Sequence, residues 1–437
     1  MAAAIARPSD DALRLATAVD GDRLWRRIDE LAAFGALPGG GVNRQALSEA
    51  EVAARRHLLA IAEARGLAVF ADAAGNLFLR LEGRDPSLPP VLSGSHLDTQ
   101  PTGGRFDGVW GVLAALEVLE ALRDRDLRPR RSIEMVAWMN EEGSRFAPGM
   151  MGSEAFAGHR DLAEIRATAD ATGVTVGEAL DRLVAALPPV PERPLGFPLA
   201  AYVEAHIEQG PVLEAAGRTI GVVTGIQGKQ TMRVTVTGEE AHAGTRAMAE
   251  RRDALMGALR VVDALAKTAA EADPAMFFTV GRFDVSPNAP SVVPGRVRFS
   301  TDLRHAETEL LRMAGARQRE RAAAAAAPCA VTVEPLVDAA ASVFAAGLRA
   351  RIAGAAEALD LAAMDILSAA GHDARHMVDL APSAMIFVPS RGGVSHAEHE
   401  WTDPADVVAG TRVLAAVLWD LAEADDLAPT EREGESA

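Results

Sequence analysis

Apolar residues recur along this chain in two textures, and the change between them divides it. Up to about residue 215, short apolar runs of strand length alternate with stripes at helical spacing. The segment LWRRIDELAAF predicts helix over most of 13–37, and a second helix is expected over 49–65, stopped by Gly66. Residues 67–71 and 76–81 read as two strands around a turn at Gly75. A buried strand follows at 91–94. A helix at 108–122 carries a stripe through Val112, Leu113, Leu116, Val118 and Leu119. Further strands are expected at 132–139 and 202–206, separated by a proline-rich loop over 185–199.

After residue 216 the texture changes. Residues 220–223 and 232–237 alternate like antiparallel strands, a helix is expected over 251–272, strands over 277–283 and 296–303, a helix over 307–327 and a strand over 331–335. The block 216–335 therefore reads β-β-α-β-β-α-β, close to a ferredoxin-like α+β layer inserted into the first domain. The first texture returns with a helix over 343–359, a strand over 384–388 and a helix over 404–421. The fold class expected is α/β: a mixed-sheet domain built from 1–215 plus 336–437, interrupted by an inserted domain. A length of 437 residues fits two cores better than one.

Composition narrows the function. With 44 basic and 61 acidic side chains the net charge is −17, a poor match to nucleic acid or an anionic membrane. No stretch of 18 or more apolar residues suggests a membrane span, and the first residues lack the pattern of a signal peptide. Cys329 is the single cysteine, so no intrachain disulfide can form, and a cytoplasmic location is expected. The polar tail after residue 428 is expected to fray.

The chemistry is concentrated at strand ends. GSHLDTQPTGGRFDG (94–108) sets His96 and Asp98 two apart after a buried strand and brings Asp107 to the start of the next helix. WMNEEGSRF (138–146) supplies Glu141 and Glu142. EAHIEQG (204–210) supplies His206, and RGGVSHAEHEW (391–401) supplies His396. Four strand ends thus offer His, Asp, Glu, His and His. That donor set suits Zn²⁺, Mn²⁺, Co²⁺ or Ni²⁺, with no thiolate among the ligands. Of two adjacent glutamates, one can bind a cation while the other moves a proton.

As a set, these motifs resemble the hydantoinase/carbamoylase branch of the M20 metallopeptidase-like superfamily, over nearly the whole chain from GDRLWRRIDELAAFGALPGGGVNRQAL to SHAEHEW. The resemblance implies two divalent cations per subunit, one held by His96, Asp107 and His206, the other by Asp107, Glu142 and His396. It implies that Glu141 is the general base, that Asp98 orients His96, and that the inserted domain is a lid and dimerisation domain. It further assigns His242 (AHAGT) to oxyanion stabilisation in a neighbouring subunit of a homodimer. Gln209, Ser291, Arg304 and Gly393 become substrate-binding residues, Arg304 gripping a carboxylate. The chain departs from the family where Ser291 replaces an asparagine and Arg246-Ala247 replaces Thr-Pro. Both changes bear on which substrate is used.

The activity so implied is metal-dependent hydrolysis of the ureido C–N bond of an N-carbamoyl-L-amino acid, giving the free amino acid, carbon dioxide and ammonia. Nearby alternatives are a β-ureidopropionase or an allantoate or ureidoglycolate amidohydrolase, then a dipeptidase or N-acyl deacylase. The distant one is a non-catalytic metabolite-binding relative. His57, His159, His305, His376 and His399 are given no role. His372, in SAAGHDA, is a candidate for support of the site.

Overall fold

The structure, a computed structural model, describes residues 6–425; the expectations for the first residues and for the tail after 428 concern residues outside that range. The chain forms two compact units, one containing residues up to 224 and from 343 onward, the other Gly225–Ser342.

The first unit is built on a nine-stranded sheet with helices packed against it. At its centre lie four adjacent parallel strands in the order Ile133–Trp138, Val91–His96, Ala201–Ile207 and Ser383–Val388. Every residue of these four strands is buried. Burial without alternation is what a sheet covered on both faces gives. Helices Val109–Asp124 and Pro404–Glu423 contribute Trp110, Leu113, Leu116, Val413, Leu414 and Leu418 to the same core. Because the four strands run in parallel, their carboxyl ends open on one edge, where ligands gather in such sheets. All four chemical motifs lie at these ends.

The hairpin forms from Ala68–Ala71 and Leu77–Leu81, with Gly75 at φ +85° in its turn. The helix Glu49–Arg65 stops at Gly66, whose φ is +62°. The single helix expected over 13–37 is two, Asp10–Ala18 and Gly21–Ala32. Asp20 separates them, its carboxylate accepting the N–H of Arg23 at 2.9 Å as an N-cap.

The second unit is βαββαβ. Its antiparallel strands are Gly228–Thr237, Phe277–Ser286, Arg296–His305 and Ala330–Ala339, in spatial order fourth, first, third, second. Helices Ala254–Ala272 and Thr308–Ala326 cover one face over Val234, Val236, Val297 and Phe299. This is the ferredoxin-like arrangement, with one correction at its edge. The strand expected at 220–223 to open the insert runs over Ile220–Ile226 and pairs with Ser383–Val388 in the large sheet. Its residues are buried on both faces except Thr224, the mark of an interior strand. Gly228–Thr237, by contrast, alternates buried and more exposed positions along its whole length. The insert accordingly begins near 225 and ends near 342.

Candidate metal centre

His96 is the last residue of its strand and is almost fully buried. Its Nδ1 lies 2.9 Å from the carbonyl oxygen of Asp98. A carbonyl can only accept, so Nδ1 carries the proton and Nε2 is left with its lone pair. His206 repeats the device, its Nδ1 2.9 Å from the carbonyl oxygen of Ile207. Both imidazoles are thereby set in the tautomer that binds a cation through Nε2.

Asp107 sits between them and His396. Its Oδ1 is 3.2 Å from His206 Nε2 and 3.7 Å from His96 Nε2, while its Oδ2 is 3.2 Å from His396 Nε2. Glu142 closes the second group, Oε2 lying 3.5 Å from His396 Nε2. Two ligand atoms on one tetrahedral cation with bonds near 2.1 Å are about 3.4 Å apart. The donor atoms of His96, Asp107 and His206, and of Asp107, Glu142 and His396, therefore stand at separations that fit two cations sharing Asp107.

Asp107 does not cap the following helix: Gly108 is the N-cap residue and no side chain caps there. The carboxylate is left free to face the histidines. Gly108 has φ +67°, and a Cβ at that position would fall 2.4 Å from the His96 ring. Only glycine fits between the two ligands.

Electrostatics follow from crowding acids in a buried site. For Asp107 burial opposes the charge, but hydrogen bonds with His206 and His396 outweigh it and hold the carboxyl well below its usual range. The same hydrogen bond to Asp107 pushes His396 up to about 9. Burial and then Asp107 push Glu142 up to about 8. Glu141 is raised well above an ordinary glutamate by burial, then by Asp373 and Glu142. Its Oε2 lies 3.6 Å from His96 Nε2, beside the first group of ligands. A carboxyl that readily holds a proton at this point suits general acid–base work.

Asp98 meets His96 through its main-chain carbonyl and not through its side chain. Its carboxylate is 3.8 Å from His96 Nδ1, farther than its own carbonyl oxygen. The two carboxylate oxygens instead accept the backbone N–H groups of Glu141 and Glu142, each at 3.1 Å. It ties the glutamate loop to the histidine strand.

Several neighbours escaped the sequence reading. Gln100 donates from its side chain to Glu142 Oε2 at 2.7 Å. Glu204, buried under the site, accepts from Ser95 Oγ at 2.7 Å, Tyr202 OH at 3.2 Å and the Ala374 N–H at 2.8 Å. Glu204, His206 and His372 form a third close group, but those hydrogen bonds mark Glu204 as part of the frame. His372 is buried with its ring centroid 4.4 Å from that of His206, in keeping with a supporting place. Glu400 accepts the N–H groups of Phe106 and Asp107 at 3.0 and 3.1 Å. Burial and then Asp107 push it up to about 7. It stands inside SHAEHEW, where the sequence singles out His396 alone. His159 and His376 meet through their Nδ1 atoms at 2.9 Å, a pairing no local spacing signals.

Gln209 reaches the same cluster: its Nε2 is 3.0 Å from Asp107 Oδ2. Gly393 has φ +68° and a Cβ there would meet Pro211 N at 2.8 Å. His242, Ser291 and Arg304 belong to the second unit. His242 is exposed on the short strand Ala241–His242 beside Val292–Val293, and its Nδ1 accepts the Gly244 N–H at 3.0 Å. Its proton is thus on Nε2. Ser291 is exposed, and its carbonyl accepts the Ala243 N–H at 3.0 Å. Arg304 is the next-to-last residue of the strand Arg296–His305, half-buried, with Nε 2.7 Å from Asp302 Oδ1.

Comparison with known proteins gives the family. The model of Peptidase family M20/M25/M40 matches residues 92–420. The chain belongs to this family. It is 38% identical over 412 residues to an N-carbamoyl-L-amino-acid amidohydrolase of Rhizobium meliloti, covering 93% of this chain and 97% of the relative. It is 34% identical over 394 residues to an allantoate amidohydrolase of Escherichia coli, covering 90% and 96%. Among solved structures, a hydantoinase/carbamoylase family amidase of Burkholderia multivorans superposes with a TM-score of 0.86 at 43% identity, over 93% of this chain and 98% of that one. No helix among the described residues of this M20 protein is long and apolar enough to cross a membrane.

Proposed function

We propose that this M20 chain hydrolyses the ureido C–N bond of N-carbamoyl-L-amino acids. The observation that carries the reading is the sharing of Asp107 between two ligand triads, with Glu141 Oε2 3.6 Å from His96. The kinship with N-carbamoyl-L-amino-acid amidohydrolases supports the substrate class.

His96, Asp107 and His206 would hold one divalent cation, and Asp107, Glu142 and His396 the other; zinc and manganese suit the donors, and cobalt or nickel are compatible. Cations at such a site polarise a carbonyl and make water acidic. Glu141 takes the proton of the attacking water. The water oxygen bonds to the ureido carbon, the C–N bond to the terminal nitrogen breaks, and Glu141 returns the proton to that nitrogen, which leaves as ammonia. The remaining carbamate breaks down to carbon dioxide and the free amino acid.

Arg304 is the proposed partner of the substrate carboxylate, for which a guanidinium fork is suited. Gln209, Ser291 and Gly393 are proposed to line the substrate position. The Nε2–H of His242 is the proposed donor to the oxyanion, offered to a neighbouring subunit of a homodimer through an insert that serves as lid and dimer contact. A cytoplasmic site of action accords with the single cysteine.

The test is ammonia release from N-carbamoyl-L-amino acids, N-carbamoyl-β-alanine and allantoate with metal-loaded protein. Turnover of the first class supports the reading. Turnover of only the others reassigns the substrate, and turnover of only acyl or peptidyl compounds rejects it.

A further inference from the structure

Beside Asp107 the polar groups form a chain whose proton directions follow once Glu400 is ionised. Glu400 is buried, and its Oε1 accepts the N–H groups of Phe106 and Asp107. Its Oε2 lies 2.8 Å from Ser395 Oγ, which is 3.3 Å from Asp107 Oδ2. With Glu400 as carboxylate, the Ser395 hydroxyl proton goes to the nearer oxygen. Ser395 Oγ then has only lone pairs left for Gln209 Nε2, 3.1 Å away. The second Gln209 amide hydrogen goes to Asp107 Oδ2 at 3.0 Å. Both hydrogens of the amide are thus spent inward. Among the described residues nothing donates to the amide Oε1.

We infer that Glu400 is a positioning residue which, through Ser395, locks the Gln209 amide so that its Oε1 selects an N–H donor on the substrate. This rests on the functional reading above and deepens it. A ureido group ends in NH₂ where an N-acetyl group of the same shape ends in CH₃. An acceptor held at that point favours the first and leaves the second with an unpaired oxygen to bury. Asp107 alone cannot serve as the lock, because it is a ligand of both triads and its oxygens are claimed when cations bind. Ser395 is the acceptor that remains.

The experiment compares N-carbamoyl-L-leucine with N-acetyl-L-leucine. Binding is read by calorimetry in the metal-loaded Glu141→Gln protein, and turnover in the parent. Gln209→Met is expected to lower the carbamoyl-over-acetyl ratio of affinities by about tenfold or more. Ser395→Ala is expected to lower it several-fold and Ser395→Thr, which keeps the hydroxyl, to retain it. Glu400→Gln puts a donor against Ser395, reverses the chain, and is expected to lower the ratio as well. Thermal melts and metal content identify any variant that fails to fold, and Ser395→Thr guards against a general loss of packing. An unchanged ratio in Gln209→Met, in Ser395→Ala or in Glu400→Gln overturns the inference. A parent that turns over no ureido compound overturns the functional reading itself, and this inference with it.

Discussion

The Nδ1 proton of His96 goes to the backbone carbonyl of Asp98, 2.9 Å away, and not to the Asp98 carboxylate at 3.8 Å. The tautomer of this ligand is therefore set by main chain, and the carboxylate is free for another task. It clamps the backbone of Glu141 and Glu142.

The consequence is selective. Asp98→Ala leaves His96 in its binding tautomer but loosens the glutamate loop. Cation binding to the group with Glu142 and His396 should weaken about 10- to 100-fold, with the group of His96 and His206 much less affected. A two-step metal titration by calorimetry reads this. Equal weakening of both steps contradicts it.

Metal loading should depend on pH in a definite direction. A cation needs the imidazole lone pair of His396, yet Asp107 holds that ring protonated up to about 9, and burial with Asp107 holds a proton on Glu142 up to about 8. Below these values binding must displace protons, so affinity rises with pH through 7 and 8 and levels off above about 9. Calorimetry of the metal-free protein in buffers of differing ionisation enthalpy should register proton release at pH 7. Affinity that is flat between pH 6 and 9 contradicts the assignment of His396.

Gly108→Ala tests the space between ligands. The residue needs φ +67°, and its Cβ would overlap the His96 ring. The variant should lose on the order of 1–3 kcal/mol of stability from the backbone alone and bind less metal as His96 is displaced. Melting temperature and metal content check both. A variant with full metal occupancy would show that the ring can move aside at no cost.

Arg304→Ala should raise KM for carboxylate-bearing ureido substrates about 100-fold or more, with a smaller change in kcat, if the guanidinium holds the carboxylate throughout the reaction. Arg304→Lys keeps the charge but not the fork and should recover only part of the loss. Steady-state kinetics of both variants decide it; an unchanged KM in Arg304→Ala removes this residue from the substrate site.

The five candidate ligands were readable because each lies in a polar motif at or after the carboxyl end of a strand with a buried apolar start or body. The texture also located the insert, but not its edge. Ile220–Ile226 mixes glycine with apolar residues and reads as alternating, while its place in the large sheet depends on Ser383–Val388, far along the chain. Three short helices, Met151–Ala157, Leu162–Ala167 and Val176–Ala186, went unread, although Thr175 and Glu178 form a capping box before the third. The task of the Asp98 carboxylate could not be read. Its choice between a side chain two residues away and two N–H groups more than forty residues away is made by the fold. Glu400 was hidden for the same reason, since its partners Phe106 and Asp107 are almost three hundred residues distant.

The central claim is that Glu141 moves the proton in a two-cation ureido hydrolase. Its most direct test is ammonia release from N-carbamoyl-L-amino acids by the metal-loaded parent and by Glu141→Gln, with metal content measured on both. The account predicts release by the parent, a loss of at least about 100-fold in the variant, and two cations retained by each. Equal release by both proteins, or a parent that binds no cation, would contradict it.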